Sequence, residues 1–196
     1  MSKIKPGKNG TKKDVIIQKA SVLFKEKGYS ASSMRELADA VGVEAPSLYN
    51  HIGSKAEILQ SICFQIAGEF TGQMDLAMRS PAGKLAILED IVRFHIRMML
   101  EKFDEVFVTN HEWKSLKEPD FSNFLQQRRN YEKKLVTLVE EGIRTGEIRN
   151  ADPHVVVLTI LSAVRGLEFW NHHKKNIDPQ ILEDEMVNNL LKGIIK

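Results

Sequence analysis

The chain has a single cysteine, Cys63, so it cannot close an internal disulfide. A reducing cytoplasm is the compartment that fits such a chain best. No uninterrupted apolar run approaches the length that a membrane span requires. The first residues, Met1 to Lys13, are polar and basic and lack the apolar core of a secretory signal, so neither export nor membrane insertion is expected. Strand-like alternation of apolar and polar residues is missing. So are the patterns of common catalytic sites: a nucleophile spaced to a base, a phosphate-cradling glycine loop, a carboxylate pair. Glu140 and Glu141 are neighbours on a helix and point different ways, which is not a dyad. The histidines have no zinc-site spacing; His95, His111 and Glu112 would meet only if the fifth and sixth helices cross there, and His172-His173 lies elsewhere. An enzyme is therefore not expected, and neither a metal nor a cofactor.

What remains is a helical chain with an uneven charge distribution. Apolar residues make up 42% and charged residues 28%, the balance of a globular protein. Residues 1–60 hold ten Lys/Arg against six Asp/Glu, a net of +4; residues 61–196 hold eighteen against twenty, a net of −2. A basic N-terminal third on a slightly acidic body points to a polyanionic partner, or else to a solvated lysine tail. Lys3 to Lys13 carries five lysines, Pro6, Gly7 and Gly10 without one acid, and residues 1–11 read as a flexible basic arm.

Helix punctuation then repeats to the end of the chain. The first helix runs from about Lys12 to Lys27 and stops at Gly28. Ser33 with Glu36 forms a capping box for a second, which ends at Gly42. A third starts near Glu44, takes Pro46 in its first turn and reaches about His51. Ser54 and Glu57 open a fourth, to about Met78. Pro81 opens a fifth to about Lys102, and a short piece spans Asp104 to Asn110. Trp113–Glu118 reads as a loop. Pro119 opens a long helix to Gly146; Asp152-Pro153 opens one to about His172; Asp178-Pro179 opens the last. The class is all-α, with about nine helices. Residues 12–54 form one domain and residues 55–196 a second.

The segment Ser33 to His51 has the form of a helix-turn-helix. Leu37, Ala38, Val43 and Leu48 are spaced to lock two short helices, and Ala38 is small enough for close approach. Such a pair offers its second helix to the DNA major groove. Ser47 and Asn50 can hydrogen-bond base edges or phosphates; Tyr49 and His51 can donate to phosphates; Ala45 and Pro46 can touch a thymine methyl, and Glu44 opens the same helix. Ser33 and Arg35 lie in the first turn of the preceding helix, where backbone clamps sit. Lys55, at the start of the next helix, can pair with a phosphate. Each has a plainer reading as well: Tyr49 as a packing aromatic, His51 as an exposed neutral ring, Arg35 as a surface pair with Asp39.

Phe24-x-x-x-Gly28-Tyr29, Arg35-x-Leu37-Ala38, Gly42-Val43 and Leu48-Tyr49-x-His51-Ile52-x-x-Lys55-x-x-Ile58-Leu59 together resemble the DNA-binding domain of the TetR family of transcriptional regulators. The resemblance covers residues 13–60. It implies DNA contacts by Arg35, Ser47, Tyr49, His51 and Lys55. Asn50 replaces the usual aromatic and Ile52 the usual phenylalanine, which leaves base preference open.

The resemblance also implies that the later helices bind an effector and dimerise. Val157, Leu158, Leu161, Val164 and Leu167 make one broad apolar face, with small Ala163 and Gly166; Ile181, Leu182, Met186, Leu190 and Ile194 make another. The last two helices of two subunits would build a four-helix interface, or these stripes face the chain's own core. Phe94, Met98, Phe103, Phe107, Trp113, Phe124, Arg128 and Trp170 are candidates to line a site for a small hydrophobic effector, with ordinary core as the alternative at each. The stretch His111-Glu112-Trp113-Lys114, with Phe121 and Arg128-Arg129-Asn130-Tyr131-Glu132, is similar to members that respond to acyl-CoA thioesters. The expected function is a ligand-responsive repressor on a palindromic operator. The alternative is a helical ligand-binding or protein-interaction module without DNA-binding activity.

Overall fold

The computed structural model describes residues 11–170 and 177–195. The basic arm, Thr11 excepted, and the His172-His173 pair lie outside these residues. The described chain is helical, and its one β feature is an isolated bridge between Ile148 and Ile195. The helices are α1 (Lys12–Lys27), α2 (Met34–Val41), α3 (Ala45–Tyr49), α4 (Lys55–Ala77), α5 (Lys84–Glu101), α6 (Phe103–Glu112), α7 (Asp120–Thr145), α8 (Pro153–Arg165), α9 (Leu167–Trp170) and α10 (Pro179–Lys192). All nine expected helices are present; the eighth is divided at Gly166, giving α8 and α9. The expected loop after α6 begins with a 3-10 turn, Trp113–Ser115.

The local signals explain most boundaries. Thr11 and Asp14 form a capping box on α1, and Ser33 and Glu36 form one on α2. Asp152 and Asp178 each accept two amide protons at the starts of α8 and α10, with a proline in the first turn. The start of α5 is displaced from the expected Pro81 to Lys84. A distant carboxylate sets it: Leu85 N donates to Glu147 Oε2 at 3.1 Å, and a Cβ at the preceding Gly83 would collide with that carboxylate.

Packing divides the chain into two compact units. The first contains the chain through Ala67 together with Asp104–Leu125; the second contains Gly68–Phe103 and Gln126 onward. The motif-based division at residues 54–55 falls elsewhere, because it could not see that α6 and the start of α7 pack with the N-terminal helices. The core of the first unit joins Ile16, Ala20 and Phe24 of α1, Leu37 and Ala38 of α2, Leu48 of α3, Ile58, Leu59 and Ile62 of α4, and Val108, Leu116 and Phe124 from the later segment. Burial on this scale supplies the main stabilising term, at roughly 25 cal/mol per Å² of apolar surface.

In the second unit, α5 packs against α8 and α10. Ile87, Leu88, Ile91, Val92 and Ile96 of α5 are fully buried, as are Leu138 and Val139 of α7 and Val157 of α8. An ionic clasp also holds α10 to α5. Arg97 donates to both oxygens of Glu183 at 2.9 and 2.7 Å, and Arg93 reaches Glu183 at 3.1 Å and Asp184 at 2.6 Å. Glu183 is buried, so it must be paired: an uncompensated buried carboxylate would cost several kcal/mol. Both arginines hold the Glu183 carboxyl below its ordinary range, Arg97 contributing most.

Candidate nucleic-acid interface and effector site

The turn between α2 and α3 is a rigid one. Gly42 sits at φ 77°, ψ 36°, the left-handed region that glycine enters without a Cβ penalty. Gly42 N donates to Asp39 O at 3.1 Å and Val43 N to Ala38 O at 3.0 Å, closing a Schellman motif. Val43 packs against the core, as the motif requires of the residue after the glycine. Leu48 is fully buried and anchors α3 from below, and Pro46 fills its first turn.

This arrangement leaves one row of side chains outside. Arg35, Glu44, Pro46, Tyr49 and Asn50 are exposed, and Ser47 and His51 are partly so. Tyr49, half exposed at 50%, is not the packing aromatic that the sequence left open. Arg35, Glu44, Ser47, Tyr49, Asn50 and His51 have no side-chain hydrogen bond or ion pair among the described residues, and Arg35 does not pair with Asp39. Beside the Glu44 carboxylate and Pro46, the row offers one cation, two hydroxyls, an amide and an imidazole, and these last five groups can meet phosphates and base edges.

Three expected contacts are already committed elsewhere. The Ser33 hydroxyl accepts from Glu36 N and donates to Glu36 Oε2, so it serves α2 as its cap. Lys27 also bonds Glu36, at 2.6 Å. That lysine first, and the cap second, bring the Glu36 carboxyl down to about 2. Ala45 packs against the core, which leaves Pro46 as the exposed apolar group at the start of α3. Lys55 turns inward. Its Nζ donates to Tyr29 O and Ser32 O at 2.7 Å each and approaches Ser30 O at 3.4 Å. It also lies 4.5 Å from the centroid of the Tyr29 ring. A compact ammonium with three donors fits three carbonyls that the α1–α2 connection leaves without helical partners. Further ties come from α6: Tyr29 N of this connection donates to Glu112 Oε1 at 3.2 Å, and Lys25 in the last turn of α1 pairs with Asp104.

The candidate effector residues fall into two groups. In the first unit, Phe107 stacks on His111 at 4.3 Å, and Trp113 stacks on Phe121 at 5.6 Å and leans on Phe124. Phe124 is 1% exposed, an ordinary core residue. In the second unit, Met98 is buried, while Phe94, Phe103, Arg128 and Trp170 are partly exposed. Phe94 meets Phe70 of α4 edge to face at 5.7 Å.

Two polar groups in that second cluster were not singled out from sequence as effector residues. His95 of α5 stacks on Phe70 at 4.5 Å, and its Nε2 lies 2.7 Å from the Tyr131 hydroxyl of α7. Burial pulls His95 down to about 4 and pushes the Tyr131 phenol well above its ordinary value. Thirty-six positions separate the pair in the chain, and no local pattern links them. The groups considered together as metal ligands are used separately: His95 here, His111 on Phe107, and Glu112 on the Tyr29 amide.

The second unit also has an apolar surface that it does not cover. Val155 and Leu158 of α8, Phe169 of α9 and Ile181 of α10 are 57%, 65%, 75% and 58% exposed. The stretch Pro153–Trp170 is, among the described residues, long and apolar enough by composition to cross a membrane, although His154, Arg165 and Glu168 interrupt it and only 33% of it is buried. Positions 155, 158, 162, 165 and 169 follow the alternating three-and-four spacing of a helix-pairing seam.

Comparison with known proteins gives a consistent picture. Residues 16–62 match the family model for bacterial regulatory proteins of the tetR family, and residues 82–194 match that for the C-terminal domain of tetracyclin repressor-like proteins. The HTH-type transcriptional repressor KstR2 of Mycolicibacterium smegmatis is 22% identical over 145 residues, 74% of this chain and 71% of that one. The structure of the ketosteroid transcriptional regulator KstR2 of Mycobacterium tuberculosis superposes with a TM-score of 0.88, at 21% identity, over 99% of this chain and 100% of that one. AibR, solved in complex with isovaleryl coenzyme A and operator DNA, superposes with a TM-score of 0.77, at 24% identity, over 90% of this chain and 96% of that one.

Proposed function

Since the chain belongs to the TetR family of bacterial regulatory proteins, we propose that it is a ligand-responsive transcriptional repressor, binding a palindromic operator as a homodimer and released by a small hydrophobic effector. The observation that carries the proposal is the unpartnered polar row of Arg35, Ser47, Tyr49, Asn50 and His51 on a turn fixed by Gly42. A helix pair this tightly packed holds its outer side chains in place, and those side chains lack partners within the described protein. Pro46 and Glu44 flank the row at the start of α3. Lys55 and Ser33 act behind it, holding the shape of the surface.

The homodimer would form through α8, α9 and α10, where Val155, Leu158, Phe169 and Ile181 stand exposed. A two-fold pair of such chains sets two recognition helices about one DNA turn apart. An acyl thioester is the effector chemistry we infer, because the chain shares its fold with a protein whose structure holds both isovaleryl coenzyme A and operator DNA. Effector and operator would favour different conformations of one dimer, and their coupling is then reciprocal.

Fluorescence anisotropy with the DNA upstream of the protein's own gene tests the proposal. The expected result is sequence-selective binding whose affinity falls steeply with salt, and which Tyr49→Ala weakens without dissolving the dimer. Binding that is absent there and across a genomic library would leave the interaction-module reading instead.

A further inference from the structure

We propose that His95 and Tyr131 are the polar anchor of the effector site and select an uncharged carbonyl, as in an acyl thioester, ester or ketone, over a free carboxylate. The inference rests on the effector-responsive reading above and adds to it a rule of chemical choice.

Helices α4, α5 and α7 bring the site together within the second unit. Phe70 meets Phe94 at 5.7 Å, His95 at 4.5 Å and Tyr131 at 6.1 Å, so one phenyl ring touches both members of the hydrogen-bonded pair and carries a second phenyl beside it. One turn before Tyr131, Gln127 donates to Thr71 Oγ1 at 3.2 Å and fixes α7 against α4 beside Phe70. His95 and Tyr131 each keep part of their surface accessible. Even so, enough protein surrounds both that their charged forms are strongly disfavoured. The pair is therefore partly accessible, uncharged and hydrogen-bonded, and it lies against the Phe70 ring.

Hydrogen-bond accounting gives that pair its selectivity. A neutral imidazole has one donor and one acceptor; a phenol has one donor and two lone pairs. The bond between Nε2 and the hydroxyl uses one donor and one acceptor, whichever way it runs. One N–H or O–H is left over, and no charge accompanies it. A carbonyl oxygen satisfies that donor. A carboxylate would enter without a counter-ion and lose its hydration. Cations on these helices are paired or turned to solvent: Lys102 is held by Glu69, Lys134 by Asp75, Arg93 and Arg97 by Glu183, Arg128 is engaged as well, and Arg129 and Lys133 are exposed. The accessible parts of Phe70 and Phe94 supply apolar contact for an acyl chain.

The test is calorimetric titration of the full-length protein in mildly alkaline buffer. The probes are methyl esters, coenzyme A thioesters and sodium salts of the same straight-chain acids, in short, medium and long lengths. The expected result is that the neutral esters and thioesters bind at least about tenfold more tightly than the matching salts, the worth of one buried hydrogen bond. Tyr131→Phe should remove about that factor for the esters and leave the weak binding of the salts unchanged. His95→Gln, which keeps a neutral donor and acceptor, should retain the preference. Salts binding as tightly as esters would overturn the inference, as would a Tyr131→Phe protein with unaltered ester affinity, or failure of every acyl probe to bind. The ester-to-salt ratio of the unaltered protein needs no variant to fold. Operator binding is measured separately, so the regulator reading stands or falls on its own result.

Discussion

Lys55→Met keeps an apolar stem of similar length and removes only the ammonium, which isolates what that charge does. Two carbonyl bonds of 2.7 Å are lost, together with a ring contact of 4.5 Å. Hydrogen bonds to a charged group contribute about 1.5–3 kcal/mol each, and an exposed cation–π contact about 0.5–1. Those values do not simply add, because water can reach part of this connection and take over some of the bonding. A net loss of about 2 kcal/mol is the working figure, equivalent to a fall in melting temperature of roughly 4–8 °C for a chain of this size. Urea unfolding followed by circular dichroism measures it. A double-mutant cycle with Tyr29→Leu should then give a coupling of about 0.5–1 kcal/mol from the ring contact. A lysine held in reserve for phosphate behaves differently: its loss leaves stability untouched and lowers the salt slope of operator binding by about one. If Lys55→Met unfolds within about 0.5 kcal/mol of the unaltered protein while the salt slope drops in that way, the clasp is refuted.

Four further outcomes are expected. Tyr49→Ala should weaken operator affinity about tenfold by anisotropy, with an unchanged melting temperature, since the ring is half exposed and unpartnered. Leu158→Glu combined with Phe169→Glu should give a monomer by light scattering while helix content is kept, because both side chains project from the protomer. Burial lowers the His95 pKa from the ordinary 6.5 to about 4, so the unfolded chain takes up a proton first as pH falls. The associated stability is therefore complete above pH 6.5 and is lost progressively toward pH 4, and His95→Gln should flatten that part of a stability–pH curve. Gly42→Ala, at φ 77°, should cost about 1 kcal/mol in unfolding experiments and weaken DNA binding through the turn.

The features legible in the sequence are those whose causes lie within a few residues. Ser33 with Glu36, Gly42 after Val41, and Asp152 before Pro153 carry their meaning locally, and the helices begin or end where these residues place them. The stripe Val15, Ile16, Ala20, Leu23 and Phe24 of α1 follows helical spacing in the same local way, and all of it but the partly buried Val15 is buried. What escaped is set by contacts between distant positions. Glu147 determines where α5 starts from across 62 positions. Lys55 looks like an exposed N-terminal cation until the carbonyls 23 and 26 positions earlier are brought to it. His95 and Tyr131 look like separate helical residues until α5 and α7 pack. Periodicity could not separate Phe124, a core residue, from Phe94, a partly exposed one, because both satisfy the same spacing.

The sole cysteine, Cys63, is completely buried among the core residues of the first unit. Maleimide and methanethiosulfonate reagents therefore meet no competing accessible thiol, and a cysteine introduced at Ala40, exposed on α2 and outside the proposed DNA-contacting row, would be the one site they modify under native conditions. A spin label attached there reports on the outer face of the helix-turn-helix. In a two-fold dimer the distribution of label-to-label distances becomes a direct ruler for the gap between the two DNA-reading surfaces. Recording it with operator, and again with an acyl probe, would separate two ways of leaving DNA: a change in that gap, or loosening of the surface at constant spacing.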